Sequence, residues 1–436
     1  MTVELIDSSA AHTRADELLG ALTESSRAWQ GTAERLRSLR RLPGHKPGVC
    51  ALHETVAAAR PALLAALQQS LGGTIFVVVP TPDAAERSFA DLLYYLGDAA
   101  GRVALLRSRE EGIGALESPS EVSARATLLA DLSDGLPRVV LAPIAAVRQN
   151  VMPRDAFATM RFELNAGDEP GWESVQRRLF DLGYARCDVV SAVGEYAVRG
   201  GIIDLFAATA EAPVRIDFFG DRIESMREFA IESQRSSGAV SRLSVAPWTD
   251  RIEGRRGTIF EYLPESAIVV LEEPATIAAI VQALDDERSR ERHTLSSDES
   301  IDATLLAQDA VPPLSLAEIG AAIAARATLL LVGGIEPHPG GLEWVPPVLE
   351  SQVMELRPVE HFNRQIGLFS EAMREWTSDG ERVFIVSSAV SRTVDLLRAA
   401  GIEVGTHGRG SVQVDHGSIE GGFRVGDLYD RVKLPK

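Results

Sequence analysis

Cysteine is nearly missing from this sequence of 436 residues. Cys50 and Cys187 lie far apart with no CxxC spacing, which points away from a disulfide framework or a thiolate metal site and toward a reducing cytoplasm. Basic charge is also short: 44 Lys and Arg stand against 62 Asp and Glu, for a formal net charge of −18. A mean field of that sign repels phosphates, so unaided DNA binding is not expected. No apolar run approaches the roughly 18 residues of a membrane span. The N-terminus, MTVELIDSSAAH, lacks a basic stretch followed by an apolar one, so neither a membrane nor export is expected. There is no GK[ST], no HExxH or HxH, no GxSxG elbow and no Cys/His signature. The sequence therefore predicts no catalytic residues, no metal site and no cofactor.

What is present is enough apolar content, 45%, for several ordinary cores, and the length suits about three domains. From Gly48 to Pro143, short β-branched runs alternate with helical stretches, the pattern of a parallel sheet covered by helices. Strands are expected over 48–52, 74–80, 102–106 and 138–143. Thr81 and Pro82 should start a helix with Ala85, Phe89, Leu92, Leu93 and Leu96 on one face and Gly97 at its end. The texture then changes to strands and tight turns, with few helical periods. Alternation resumes at SAIVVLEEP (Ser266–Pro274) and ATLLLVGG (Ala327–Gly334). The fold class is thus α/β, with one parallel-sheet domain in two pieces, 1–156 and 248–335, around a β-rich insert, 157–247. Pro and Gly between Glu336 and Pro347 mark a linker, 336–360. A small α/β unit, 361–436, should hold a strand over 382–387, a helix over 389–400 and a strand over 402–404.

A RecA-like fold would place its phosphate loop after the first strand. His53–Arg60 there reads HETVAAAR, without the glycines, lysine and hydroxyl that a phosphate and magnesium need. PGHKPG (Pro43–Gly48) has the wrong spacing and reads as a turn. VVLEE (Val269–Glu273) imitates a strand ending in magnesium ligands, although acidic residues after a buried strand are commonplace. Arg27, Arg35, Arg37, Arg40, Arg41 and Lys46 form a basic cluster around Leu36 and Leu39. It could touch DNA or a partner, or be the solvated face of an amphipathic helix. Asp285–Ser300 reads as a solvated helix end or loop.

The richest stretch is Gly194–Phe219. In a strand over 214–219, alternation sends Val214, Ile216 and Phe218 to one face and Arg215, Asp217 and Phe219 to the other. The second set puts an aromatic beside an arginine and an aspartate, a mixture enriched at protein–protein hot spots. Arg199 precedes Gly200 and Gly201, where the chain can bend and present its guanidinium. The alternative is that Phe219 packs under a loop and the arginines form internal ion pairs.

These residues resemble a known family. GYARCDVVSAVGEYAVRGGIIDLF (Gly183–Phe206), PVRIDFFGDRIESMREF (Pro213–Phe229) and SQRS (Ser233–Ser236) are similar to the N-terminal region of the bacterial transcription-repair coupling factors, the Mfd family. Weaker likeness extends through Ser118–Leu132, Val139–Pro153 and Glu261–Pro274. UvrB, a relative, keeps a glycine-rich phosphate loop and lacks the QRS stretch. The resemblance implies a degenerate, UvrB-like α/β domain and an insert that binds the excision-repair protein UvrA. It assigns that contact to Arg199, Arg215 and Phe219. In the family, an ATP-driven translocase removes stalled RNA polymerase. Its motor and its polymerase and DNA contacts lie in domains that this sequence lacks, so no enzyme activity is expected here. The sequence departs from the family at LRSREEGIG (Leu106–Gly114) and at Ala230. Other readings are a module that braces or masks a motor, and an atypical nucleotide-binding enzyme using Glu272 and Glu273.

Overall fold

Two helices open the described chain: α1, Ser8–Ser25, and α2, Arg27–Arg40. The computed structural model describes residues 8–40, 48–109, 118–136, 139–250, 255–296, 311–334, 342–360, 362, 365–405 and 408–425. Ser26 caps α2, its hydroxyl accepting from the Trp29 N–H at 3.2 Å, and Trp29, Thr32, Ala33 and Leu36 form the buried stripe. The basic face of α2 turns to other parts of the chain. Arg40 donates to the carbonyls of Leu71 and Gly72 at 2.8 and 3.1 Å, and Arg35 lies 3.8 Å from Glu350. Arg41, Lys46 and most of the 43–48 turn lie outside the described residues.

Strand β1 is Val49–His53, followed by helix α3, Arg60–Leu71, and β2, Ile75–Val79. Helix α4, Pro82–Leu96, starts where the sequence indicates, with Thr81 Oγ1 accepting from the Ala84 N–H at 3.2 Å. Ala85, Leu92 and Leu96 are buried, whereas Leu93 is exposed and Tyr95 is buried instead. The 3.6-residue period explains the exchange, because Leu93 lies about 100° around the helix from Leu92. Then come β3, Val103–Leu105; α5, Pro119–Ser133; β4, Val139–Pro143; and the short helices α6, Ile144–Val147, and α7, Arg154–Met160.

The insert runs through β5, Phe162–Asn165; α8, Trp172–Asp181; β6, Ala185–Cys187; β7, Glu195–Arg199; β8, Ile202–Leu205; β9, Val214–Phe219; β10, Arg222–Phe229; β11, Ser236–Ala239; and β12, Arg242–Val245. Six strands form a sheet in the order β11-β10-β9-β8-β7-β6, and β5 pairs with β12. Helix α8 was not expected in this strand-rich stretch. Val175 and Leu179 turn its buried stripe onto the sheet, where they join Ile203, Ile216 and Met226. Only Ala185–Cys187 of the expected strand around RCDVVSAV is paired. Beyond it, the Glu195 carboxylate ties up a loop by accepting from the N–H groups of Ser191 and Ala192 at 2.8 and 3.0 Å.

The parallel sheet is completed after the insert by β13, Ile268–Glu272; α9, Pro274–Ser296; α10, Leu316–Ile323; and β14, Ala327–Leu331. A further strand, β15, Val348–Val353, lies inside the stretch expected to be a linker. Its parallel pairing to β1 satisfies an edge that the Pro-rich sequence before it gives no hint of. The order is β15-β1-β14-β13-β2-β4-β3. Helices cover both faces: Phe76 and Val78 enter one core, while Ile75, Val77 and Val79 enter the other. Burial on both sides explains why these strands are continuously apolar.

Strand β16, Leu356–Pro358, leads to α11, Ile366–Ser378; β17, Val383–Ser387; α12, Val390–Ala399; β18, Val412–His416; and β19, Phe423–Val425. The strand expected over 402–404 is absent. Ile402 is buried, but Gly401 and Gly405 adopt φ of 76° and 92° on either side of it and bend the chain out of any ladder. The parallel partner of β17 is β18 instead. The molecule is thus mixed α/β, a large parallel sheet with a separate β-rich sheet, as in a RecA-like domain carrying an inserted β domain.

Candidate docking site

Open parallel sheets bind ligands at the carboxyl ends of their strands. Here the ends of β1, β13 and β14 meet in a closed ion cluster. Arg60, the first residue of α3, donates to the Thr55 carbonyl from Nε and Nη2 at 3.2 and 3.0 Å, and to Glu272 from Nη1 at 3.2 Å. Its Nη2 also binds Glu273, whose carboxylate accepts from the Gly333 N–H at 2.9 Å. Glu272 is buried, and burial pushes its carboxyl above the ordinary range, offset in part by the Arg60 guanidinium. The acidic pair that resembled magnesium ligands is thus held by a cation from its own chain. Arg60 was missed because it lies 212 residues from Glu272. Among the described residues, no group of three or more His, Cys, Asp or Glu could hold a metal. No described helix is long and apolar enough to cross a membrane.

The outer face of the six-stranded sheet is different. Cross-strand pairing sets Arg199 opposite Ile202 and Ile202 opposite Asp217. In the next row, Ala197 pairs with Asp204 and Asp204 with Arg215. Strict alternation in β9 buries Val214 and Ile216 and turns Arg215, Asp217 and Phe219 outward. Phe219 is 80% exposed, so the packing of this ring under a loop does not occur. Glycines shape the rim: Gly200 and Gly220 adopt φ of 58° and 62°, and a Cβ on Gly201 would meet the Phe218 carbonyl oxygen at 2.9 Å.

The two arginines behave differently. Arg199 is exposed, and its Nη2 donates to the Asp188 carbonyl at 2.8 Å. Arg215 grips the buried Asp204 from Nε and Nη2 at 2.7 and 2.8 Å, donates to the Gln234 carbonyl at 3.2 Å and lies 4.9 Å from the Phe229 ring centre. Asp204 holds this guanidinium above its ordinary value. The internal ion pair is therefore realised at Arg215. Gln234, in the QRS stretch, has φ of 56° and points its own carbonyl at Arg215. All three residues share one face: Arg199 and Phe219 are exposed, and Arg215 is pinned by Asp204.

Two features were not anticipated. Phe180 on α8 is 72% exposed. A cleft of about 710 Å³ lies at the tip of the insert between the start of α8 and the two turns, lined by Trp172, Arg177, Gly201, Phe218 and Asp221. Neither was legible, because α8 itself was not.

Residues 162–250, which bear this face, match the UvrB interaction domain, the class of domain to which the insert corresponds. The chain is also similar to transcription-repair-coupling factors. It is 32% identical over 192 residues to that of Bacillus subtilis, covering 43% of this chain and 16% of that protein. It is 36% identical over 215 residues to that of Mycobacterium tuberculosis, covering 47% and 17%. For Myxococcus xanthus the figures are 33% over 201 residues, 44% and 16%. The matched stretch is thus about a sixth of the length of these curated relatives.

Proposed function

We propose that this chain is a recruiting module of transcription-coupled nucleotide-excision repair, whose insert docks UvrA through Phe219 and Arg199, with Arg215 bracing the face. The observation that carries this reading is the 80% exposure of Phe219 on the same outer sheet face as Arg199, in a domain matching the UvrB interaction class. Phe219 is the most exposed large apolar side chain among the described residues, and it shares its face with arginines, the mixture enriched at protein–protein hot spots. Phe219 would supply buried apolar area, and Arg199 directional, charge-assisted hydrogen bonds. In this reading the parallel-sheet domain is the scaffold, the location is the cytoplasm, and translocation and the polymerase and DNA contacts belong to other parts of a coupling factor. Engagement of Glu272 and Glu273 by Arg60 favours docking over an enzyme that would use those carboxylates.

A binding titration against purified UvrA tests the proposal. Phe219→Ala and Arg199→Ala should each weaken binding by about 1–3 kcal/mol, as central interface residues do. Arg215→Ala should weaken binding and also lower the thermal midpoint of the insert, since it leaves buried Asp204 without its bidentate partner. Unchanged affinity in both Phe219→Ala and Arg199→Ala would refute the site.

A further inference from the structure

Strand β10 carries a bulge between Ile223 and Ser225. Arg227 lies five positions after Arg222, so a regular strand would send them to opposite faces. The bulge shifts the alternation by one. Arg222 pairs with Phe219 and Arg227 with Arg215, so both join the outward row. Both are exposed. Among the described residues, neither forms a salt bridge or a side-chain hydrogen bond, although the chain carries an excess of carboxylates. The acidic groups of this face are already engaged: Arg215 holds Asp204, and the Ser225 hydroxyl donates to Asp217 at 2.8 Å. Three exposed guanidinium groups, on Arg199, Arg222 and Arg227, thus share the outer face with the exposed Phe219 ring, with one nitrogen of Arg199 given to the Asp188 carbonyl.

We infer that β10 completes the docking face, and that Arg222 and Arg227 recognise an acidic protein surface whose carboxylates surround an apolar socket for Phe219. This rests on the docking reading above and specifies the partner's chemistry. Guanidinium forks match carboxylates in geometry as well as charge. Because the two side chains lie in solvent, their contribution should appear chiefly as electrostatic steering, in association rate and salt dependence. In an otherwise acidic chain, such a patch also orients the approach: the rest of the molecule repels an acidic partner and this face attracts it.

The test measures association of the full chain with purified UvrA at about 50 and about 300 mM NaCl, where screening differs strongly. The double variant Arg222→Glu/Arg227→Glu is compared with Arg392→Glu/Arg398→Glu, which makes the same change in net charge on the exposed surface of α12. The β10 pair should slow association about tenfold or more at low salt and flatten its salt dependence, whereas the α12 pair should stay within about twofold. Arg222→Gln/Arg227→Gln should fall between, which guards against a folding defect from charge reversal. Equal loss in both reversed pairs, or no change in rate and salt slope for the β10 pair, overturns the inference. If Phe219→Ala weakens binding while the β10 variants do not, the face ends at β9 and the docking reading stands. If neither alters binding by folded protein, the docking reading falls too.

Discussion

Arg60→Ala should lower the unfolding free energy by about 3–5 kcal/mol, the usual cost of removing one partner from a buried ion pair. The side chain is 6% exposed and Glu272 is 5% exposed, so the substitution strands a carboxylate in the sheet interior. Glu272 already has one buried oxygen, Oε1, without a hydrogen-bond partner, and losing Arg60 removes the partner of the other. The Thr55 carbonyl loses two donors as well. Replacing Arg60 and Glu272 together with methionine should restore much of the loss, because an apolar pair of similar volume carries no desolvation penalty. The effect should depend on pH with a definite sign. Burial raises the folded-state pKa of Glu272 above its unfolded value, so the folded state takes up the proton first and the penalty for ionised Glu272 is relieved as pH falls. Without Arg60 to offset that penalty, the gap between variant and parent should be widest at neutral pH and should narrow on acidification. Denaturant midpoints at several pH values give the answer; a gap that widens toward acid would contradict this account of the cluster.

Asp250→Ala should be comparably damaging, again by about 3–5 kcal/mol. Asp250 Oδ2 accepts from Arg109 Nη1 at 2.5 Å and from Arg125 Nε at 3.1 Å, and all three residues are buried. Arg109 is further fixed by Gln149, which accepts from its N–H at 2.7 Å and donates to its carbonyl at 2.9 Å. Arg125 belongs to α5, the same helix whose Ser123 and Thr127 hydroxyls donate to the Ala208 carbonyl in the insert at 2.7 and 3.3 Å. The aspartate therefore bridges two cations of the parallel-sheet domain at the point where the chain returns from the insert. Its loss should lower the thermal midpoint and speed amide exchange at Met152, whose N–H donates to the Asp250 carbonyl. Asp250→Asn, which keeps the shape and drops the charge, should be intermediate. A variant with unchanged midpoint and exchange would mean that the hydrogen bonds of α5 alone fix the insert.

Neither cluster could have been read from the sequence as a partnership. HETVAAAR and VVLEE read locally as fragments of a missing phosphate site, and nothing local says that Arg60 reaches Glu272. Arg109 lies in Leu106–Gly114, a stretch that departs from the family pattern and carries no local sign of its partner Asp250. The proposed docking face is more legible. Alternation within β9 is a local property, so it identified Phe219 as outward, and it placed Arg215 on that face without showing that Asp204 holds it.

The sequence by itself determined the features that depend on one element and its burial. Continuous apolar runs at 75–79, 139–143, 268–271 and 329–331 require strands covered on both sides, and Thr81 with Pro82 starts a helix wherever that helix packs. Tertiary structure decided what depends on neighbours distant in the chain. Pairing to β1 made a strand of 348–353, and pairing to β17 chose β18 over 402–404. Packing on the sheet selected the helical stripe of α8, and a one-residue bulge brought Arg222 and Arg227 to one face. The reason is geometric: periodicity records which side of an element meets apolar surroundings, whereas register, bulges and buried ion partners are set only when segments far apart in sequence are brought within a few ångströms.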